Sequence, residues 1–338
     1  MSPPEPIEGR RRWRLRTWSP DYDRGSRPEA DRLGTAQVDV AVERAVGAWR
    51  PLGSPLTHGP GGAAGPTPGP LPPIAFVDGV QRVDAWADVE AAAAADPGAP
   101  AVPEDGALGE ALFASYLAGA VSIEAGTACF VPPPPVSRAV FGAGPGEPIA
   151  GYRRVDTEGR PEDALQAARD ALEVAVASML GAELEPAGGL LVLDGPLHER
   201  GHVPGALGLV KSHRVDYLDD PSLRRVRSGL VAGQRTPVFA LDSGWQRWSW
   251  YVRVAGTEWG WGGLVRCEAS AQAPLDRVVE LADLSARALP RFASSPVKDP
   301  RAPQNLVPIG SLERWLRHRL GEREVLERRL RRALAAER

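Results

Sequence analysis

Two short apolar runs, each closed by Asp-Gly, constrain this chain more than any other feature: Ile74-Ala-Phe-Val-Asp-Gly79 and Leu190-Leu-Val-Leu-Asp-Gly195. A brief apolar run bounded by glycine reads as a buried central strand. Open α/β sheets place ligands at the carboxyl ends of such strands. Asp78 and Asp194 occupy equivalent positions in the two runs, so neighbouring strands would bring two carboxylates to one place. Carboxylates held that close repel unless a cation separates them, and a divalent metal is the natural third party. The plainer alternative, an Asp-Gly that only turns the chain, is weakened by the second copy.

Composition narrows the chemistry. The 338 residues carry a net charge of −3, so any nucleic-acid partner must be held by a local basic patch. Cys129 and Cys267 are the only cysteines, which excludes a cysteine zinc cluster or a disulfide framework and suits a reducing cytoplasm. No apolar run reaches membrane-spanning length, so a soluble, cytoplasmic protein with no membrane partner is expected. No strand leads into GxGxxG or GxxxxGK[ST], no Gly-x-Ser-x-Gly elbow occurs, and the five histidines lack HExxH spacing. Dinucleotide, P-loop, serine-hydrolase and zincin readings therefore drop out.

Residues 1–70 read as an arm and a linker, and residues 71–338 as the main domain. The arm mixes Arg10, Arg11, Arg12, Arg14 and Arg16 with Trp13 and Trp18, a pattern that either touches nucleic acid or packs on its own domain. Val38 to Trp49 has the spacing of a short amphipathic helix. Residues 51–73 are too rich in Pro and Gly for regular structure. After the Asp78-Gly79 turn, Val80 to Trp86 is predicted to return antiparallel to the first strand, and Leu112 to Phe130 to form a third long strand. Pro161 to Leu180 is the clearest helix, with Leu165, Ala168, Leu172, Ala175 and Met179 as its core stripe. Glu173 is the only charge in an otherwise apolar part of it, costly to bury unless paired or bound to a cation. Further strands are predicted at Gly205–Lys211, Pro237–Leu241, Trp248–Val254 and Gly262–Cys267. Helices are predicted at Pro221–Val231, Leu275–Leu289 and Ser311–Ala335. The tryptophans around the last three strands (245, 248, 250, 259 and 261) are expected to be packing residues.

Laid out this way, the chain resembles the NurA nucleases. The resemblance rests on Ile74-Ala-Phe-Val-Asp-Gly79, on Leu190-Leu-Val-Leu-Asp-Gly-Pro-Leu197, on Gly208-Leu-Val-Lys211 and on Pro303-Gln-Asn-Leu-Val-Pro-Ile-Gly-Ser-Leu-Glu313, and covers residue 70 to the end. It implies an α/β fold: an RNase H-like mixed sheet flanked by helices, with additional strands and C-terminal helices. It implies a metal-dependent DNA nuclease, single-stranded endonuclease and 5′–3′ exonuclease in type, acting in double-strand break end resection. The partners it implies are DNA strands and ends, a hexameric HerA-type helicase and a second copy in a homodimer. The cofactor would be Mn²⁺ or Mg²⁺ in a two-metal site. Asp78 and Asp194 match the metal-binding aspartates, and Glu173 falls on the family's helix glutamate, with Glu162 as runner-up. Where the family carries a histidine this chain has Glu313, with Gln304 and Asn305 nearby. Lys211 would meet a phosphate, and Arg214, Arg224 and Arg225 are candidate DNA contacts. Two rivals are a non-catalytic RNase H-like subunit that binds a helicase or DNA, and a nuclease acting on RNA.

Overall fold

The computed structural model describes residues 12–15, 36–56, 69–90, 109–213, 215–256, 260–295 and 302–336. In chain order, β1 (Arg12–Leu15) and β2 (Gln37–Asp39) precede β3 (Ile74–Glu90), β4 (Gly109–Glu124), β5 (Thr127–Val131), β6 (Ser137–Phe141) and β7 (Arg153–Val155). Helix α1 (Pro161–Leu184) leads into β8 (Leu190–Asp194), β9 (Ala206–Val210) and α2 (Pro221–Ser228). The meander β10 (Phe239–Asp242), β11 (Gln246–Arg253) and β12 (Leu264–Ser270) follows, then α3 (Leu275–Ala288), α4 (Val307–Arg319) and α5 (Arg323–Ala336). The strands form one mixed sheet in the order β2-β10-β11-β12-β9-β8-β3-β4-β6-β7, with β1 against β3 and β5 against β4. The expected mixed α/β sheet flanked by helices is what the chain adopts.

Most pairings are antiparallel, but β3, β8 and β9 run parallel to one another at the centre. Their side chains alternate between two apolar layers. Ala75, Val77, Leu191 and Leu193 pack under α1, while Phe76, Val192, Leu207 and Leu209 pack with residues of α3 and α4.

Several elements differ from the sequence expectation. The Asp78-Gly79 pair does not turn the chain. β3 runs straight through it, paired with β4 from Ile74↔Ile123 to Val89↔Gly109, with one irregularity at Val83/Ala85. An unbroken row of partners on β4 outweighs a local turn preference. The long strand expected over 112–130 is instead a hairpin of β4 and β5, joined at Ala125-Gly126, both with positive φ. The helix expected over 38–49 is a strand and a single 3-10 turn. Val38, Val40 and Val42 favour extended backbone, β2 finds β10 as its partner, and the Trp49 indole donates to the Val40 carbonyl at 2.9 Å.

The last predicted helix is two helices, broken where Gly321 takes φ 83°, a left-handed helix stop that glycine makes without strain. Within α1, Met179 is 50% exposed while Glu173, Val176, Ala177, Leu180 and Leu184 are buried. The core stripe is thus rotated from the one expected, and Glu173 lies on it.

Two strands from the first seventy residues join the sheet. Trp13 of β1 is buried among Ala87, Val89, Phe113 and Tyr152, so this part of the arm packs on its own domain; Arg10, Arg11, Arg16 and Trp18 lie outside the described residues. Trp250 is a core residue whose indole donates to Ser285, and Trp248 donates to the Ala273 carbonyl, as expected of packing tryptophans. Trp259 lies outside the described residues. No helix among the described residues is long and apolar enough to cross a membrane.

Candidate active site

The two aspartates lie side by side. Ile74–Val77 of β3 pair in parallel register with Leu190–Leu193 of β8, and Asp78 and Asp194 are the next residue along each strand. Neighbouring strands sit roughly 4.8 Å apart. By alternation both carboxylates fall on the face that carries Phe76 and Val192, under α3 and α4. On β9, Leu209 is opposite Asp194, and Lys211 lies two residues further on the same side. Its Nζ is 2.7 Å from Asp194 Oδ2.

Glu173 approaches from the other side of the sheet, where α1 packs. The feature that admits it is Gly79. A Cβ at residue 79 would stand 2.5 Å from Glu173 Oε1 and 2.9 Å from Arg169 Cγ. A side chain there would push the carboxylate away, so the bare strand position beside Asp78 is what allows a buried acid in. Two arginines hold that acid. Arg169, one turn earlier on α1, places Nε 3.2 Å from Oε1. Arg200, in the short turn after β8, bonds Oε2. Arg200 also donates to the Asp194 carbonyl at 3.0 Å and to the Pro196 carbonyl. It thereby ties the acid of α1 to the end of β8. Arg169 was discoverable from its i,i+4 spacing to Glu173; nothing in the sequence marks Arg200.

The electrostatics follow from this layout. Burial first, then the charges of Asp194 and Glu173, push the Asp78 carboxyl up to about 8. Lys211 and the Gly79 N–H, which donates to Asp78 Oδ1 at 2.8 Å, act in the opposite direction. Burial also raises Glu173, opposed by Arg200 and Arg169. Asp194 Oδ1 is buried with no hydrogen-bond partner.

The remaining candidates lie elsewhere. Among the described residues, Asp, Glu, His and Cys do not converge in threes as a ready cation-ligating set. Glu313 pairs with Arg317 at 2.6 Å on the outer side of α4. The Gln304 amide donates to the Trp261 and Leu264 carbonyls, and Asn305 is exposed, its carbonyl accepting from Ser294. Glu162 pairs with Arg160 at the exposed start of α1. Arg224 pairs with Asp216 at 3.3 Å, and Arg225 is exposed on α2. Arg214 lies outside the described residues.

No family model matches the sequence, and no curated protein matches it. Among solved structures, the crystal structure of the NurA nuclease from Sulfolobus solfataricus is similar at 10% identity and a TM-score of 0.46, over 86% of this chain and 90% of that one.

Proposed function

We propose that this protein is a divalent-metal-dependent nuclease that hydrolyses phosphodiester bonds in DNA, with Asp78 and Asp194 as its metal-holding pair. The observation that carries the reading is their placement: Asp78 and Asp194 directly follow Val77 and Leu193, which pair in register on adjacent parallel strands, and strand alternation gives both the same side. The donor set suits a hard cation. Asp194 Oδ1 is buried without a partner, and Asp78 has no ion-pair partner among the described residues and resists ionisation beside two other acids. Both are conditions a bound Mn²⁺ or Mg²⁺ relieves. Bound there, the ion would supply an activated water and charge stabilisation for the leaving oxygen.

The chain's own residues do the rest. Lys211 fixes Asp194 through Oδ2 and offers its ammonium to an incoming phosphate oxygen. Arg200 holds Glu173 and the β8 terminus together, so the two layers that frame the site cannot drift apart. Glu173 acts in this reading as the anchor of that clamp. A second metal ion would require it to release Arg169 or Arg200.

The motif resemblance extends the proposal to work on DNA ends beside a HerA-type helicase, as a homodimer in the cytoplasm. One observation favours the rival of a non-catalytic subunit: Glu173 is already neutralised by two arginines. The deciding experiment incubates wild type, Asp78→Asn and Asp194→Asn with Mn²⁺ and end-labelled single-stranded DNA, and with RNA of the same sequence. Metal-dependent cleavage of DNA by wild type alone is expected. Absence of cleavage, or equal cleavage by the variants, defeats the enzyme reading.

A further inference from the structure

The α4 face of the sheet carries an aromatic column that starts at Trp315, packed on the edge of the core, and runs outward from it. β5 is a short edge strand paired only with β4, and Thr127 through Phe130 are exposed along it. The Phe130 ring, 40% exposed, lies flat on Trp315 of α4, with centroids 4.5 Å apart and planes 7° from parallel. The Arg319 guanidinium lies 4.1 Å from the centroid of the Trp315 ring. Trp315 is thus in direct contact with both Phe130 and Arg319. It is the ring against Phe130, which keeps 40% of its surface exposed.

The charge around the column is basic. Arg314, Arg317 and Arg319 share this stretch of α4 with Glu313 alone, and Glu313 is already taken by Arg317. No carboxylate among the described residues pairs with Arg319 or Arg314.

Register places the column relative to the acids. Asp78 is opposite Gly119, and Val121, two residues along, is opposite Phe130. Opposite residues in antiparallel pairs share a face, as do residues two apart, so Phe130 and Asp78 lie on the same face. Two strand spacings across and two residues along put their backbones about 12 Å apart.

We infer that Phe130, Trp315 and Arg319 form a base-stacking platform for single-stranded nucleic acid, with the exposed part of Phe130 receiving a base and the arginines of α4 the adjoining phosphates. The inference takes its ligand class from the nuclease reading, but binding to the platform requires neither metal nor cleavage.

Fluorescence anisotropy in EDTA tests it, with labelled oligo(dT) and oligo(rU) of about 15 nucleotides, within the span one such site covers, and a duplex control. Base-on-aromatic stacking is worth about 1–3 kcal/mol. Phe130→Ala should therefore weaken single-strand binding by about 5- to 150-fold, leave duplex binding unchanged, and keep the wild-type melting curve. Phe130→Tyr should bind as wild type. Arg319→Gln should weaken binding and flatten its salt dependence by about one phosphate contact. Trp315 contacts Phe130, so wild-type tryptophan emission should change as oligo(dT) is added. Which oligomer binds tells DNA from RNA as the source. Unchanged single-strand affinity in Phe130→Ala overturns the platform, as does equal loss on duplex or loss of a dimer in place of strand binding. Asp78→Asn separates the two readings: it should bind strands as wild type does while cleaving none. Asp78-dependent cleavage with normal binding by Phe130→Ala sinks the platform alone.

Discussion

Replacing Asp78 with Asn should stabilise the protein, and the gain should depend on pH in a defined direction. The Asp78 carboxyl titrates at about 8 in the fold against 3.8 when unperturbed. A carboxyl whose folded value is raised holds its proton in the native state after the unfolded chain has lost it. Its contribution to stability is therefore intact below about pH 4, declines as pH rises, and levels off above about 8. At 1.36 kcal/mol per unit, the decline would reach about 4 kcal/mol by pH 7; allowing for partial exposure and coupling to the neighbouring acids, about 2–4 kcal/mol is the working figure. Asn keeps the acceptor for the Gly79 N–H and cannot ionise. The variant should match wild type near pH 4.5 and melt higher by about 4–8 °C at pH 8, at roughly 2 °C per kcal/mol for a chain of this size. Calorimetry of both proteins across that range in EDTA reads the difference, in which titrating groups remote from Asp78 cancel. Adding Mn²⁺ at pH 8 should raise the wild-type melting temperature by mass action and leave Asp78→Asn where it was. A difference that is flat with pH, or largest in acid, refutes the burial and repulsion argument. An equal response of both proteins to Mn²⁺ refutes Asp78 as a ligand.

Gly79→Ala should destabilise by about 1–3 kcal/mol in urea unfolding, because its methyl would fall 2.5 Å from Glu173 Oε1 and cannot fit without moving a clamped carboxylate. Glu173→Gln leaves Arg200 buried without its counter-charge, while the half-buried Arg169 keeps Asp170, and should cost about 3–5 kcal/mol. A cycle with Arg200→Met should recover part of that loss, and strict additivity would show that the pair is not coupled. Cys129 is exposed and Cys267 fully buried, its thiol pushed up by burial. One thiol should therefore react with a disulfide reagent in the native protein and two after denaturation; two reacting natively would contradict the packing of β12.

The central strand pair was legible because its signal is local and strong. Apolar runs ending in Asp-Gly at 78 and 194 lead to β3 and β8, and their shared ending predicts their shared register. The turn at Asp78-Gly79 was misread for the same local reason. Asp-Gly favours a turn only where no partner strand continues, and β4 supplies partners for the whole length of β3. The continuity comes from residues some forty positions away, which no window centred on Gly79 contains. Glu173 was singled out by its apolar setting, but that setting says only that the charge must be compensated. Arg200, the compensating group from outside the helix, reaches it because α1 runs back along β8 and lays its middle turns over the strand's end. Sequence spacing does not encode that reach.

Asp78, Asp194 and Glu173 meet Lys211, Arg169 and Arg200 around the ends of the parallel strands, with Asp170 also on Arg169, but the charges are not evenly shared. Lys211 takes Asp194 through one oxygen. Arg169 and Arg200 take both oxygens of Glu173. No ion pair among the described residues reaches Asp78, which is left with a single N–H donor from its own neighbour. The unbalanced charge is thus concentrated on Asp78 and on the partnerless oxygen of Asp194, the two positions that adjacent strands bring to one face. A fold that needed only a quiet core there could have placed an amide or an apolar residue at 78, at lower cost. In the proposed reading, two carboxylates kept on adjacent strands, one of them pushed far above its ordinary range, are half of an electrostatic pair whose other half is an ion from solution.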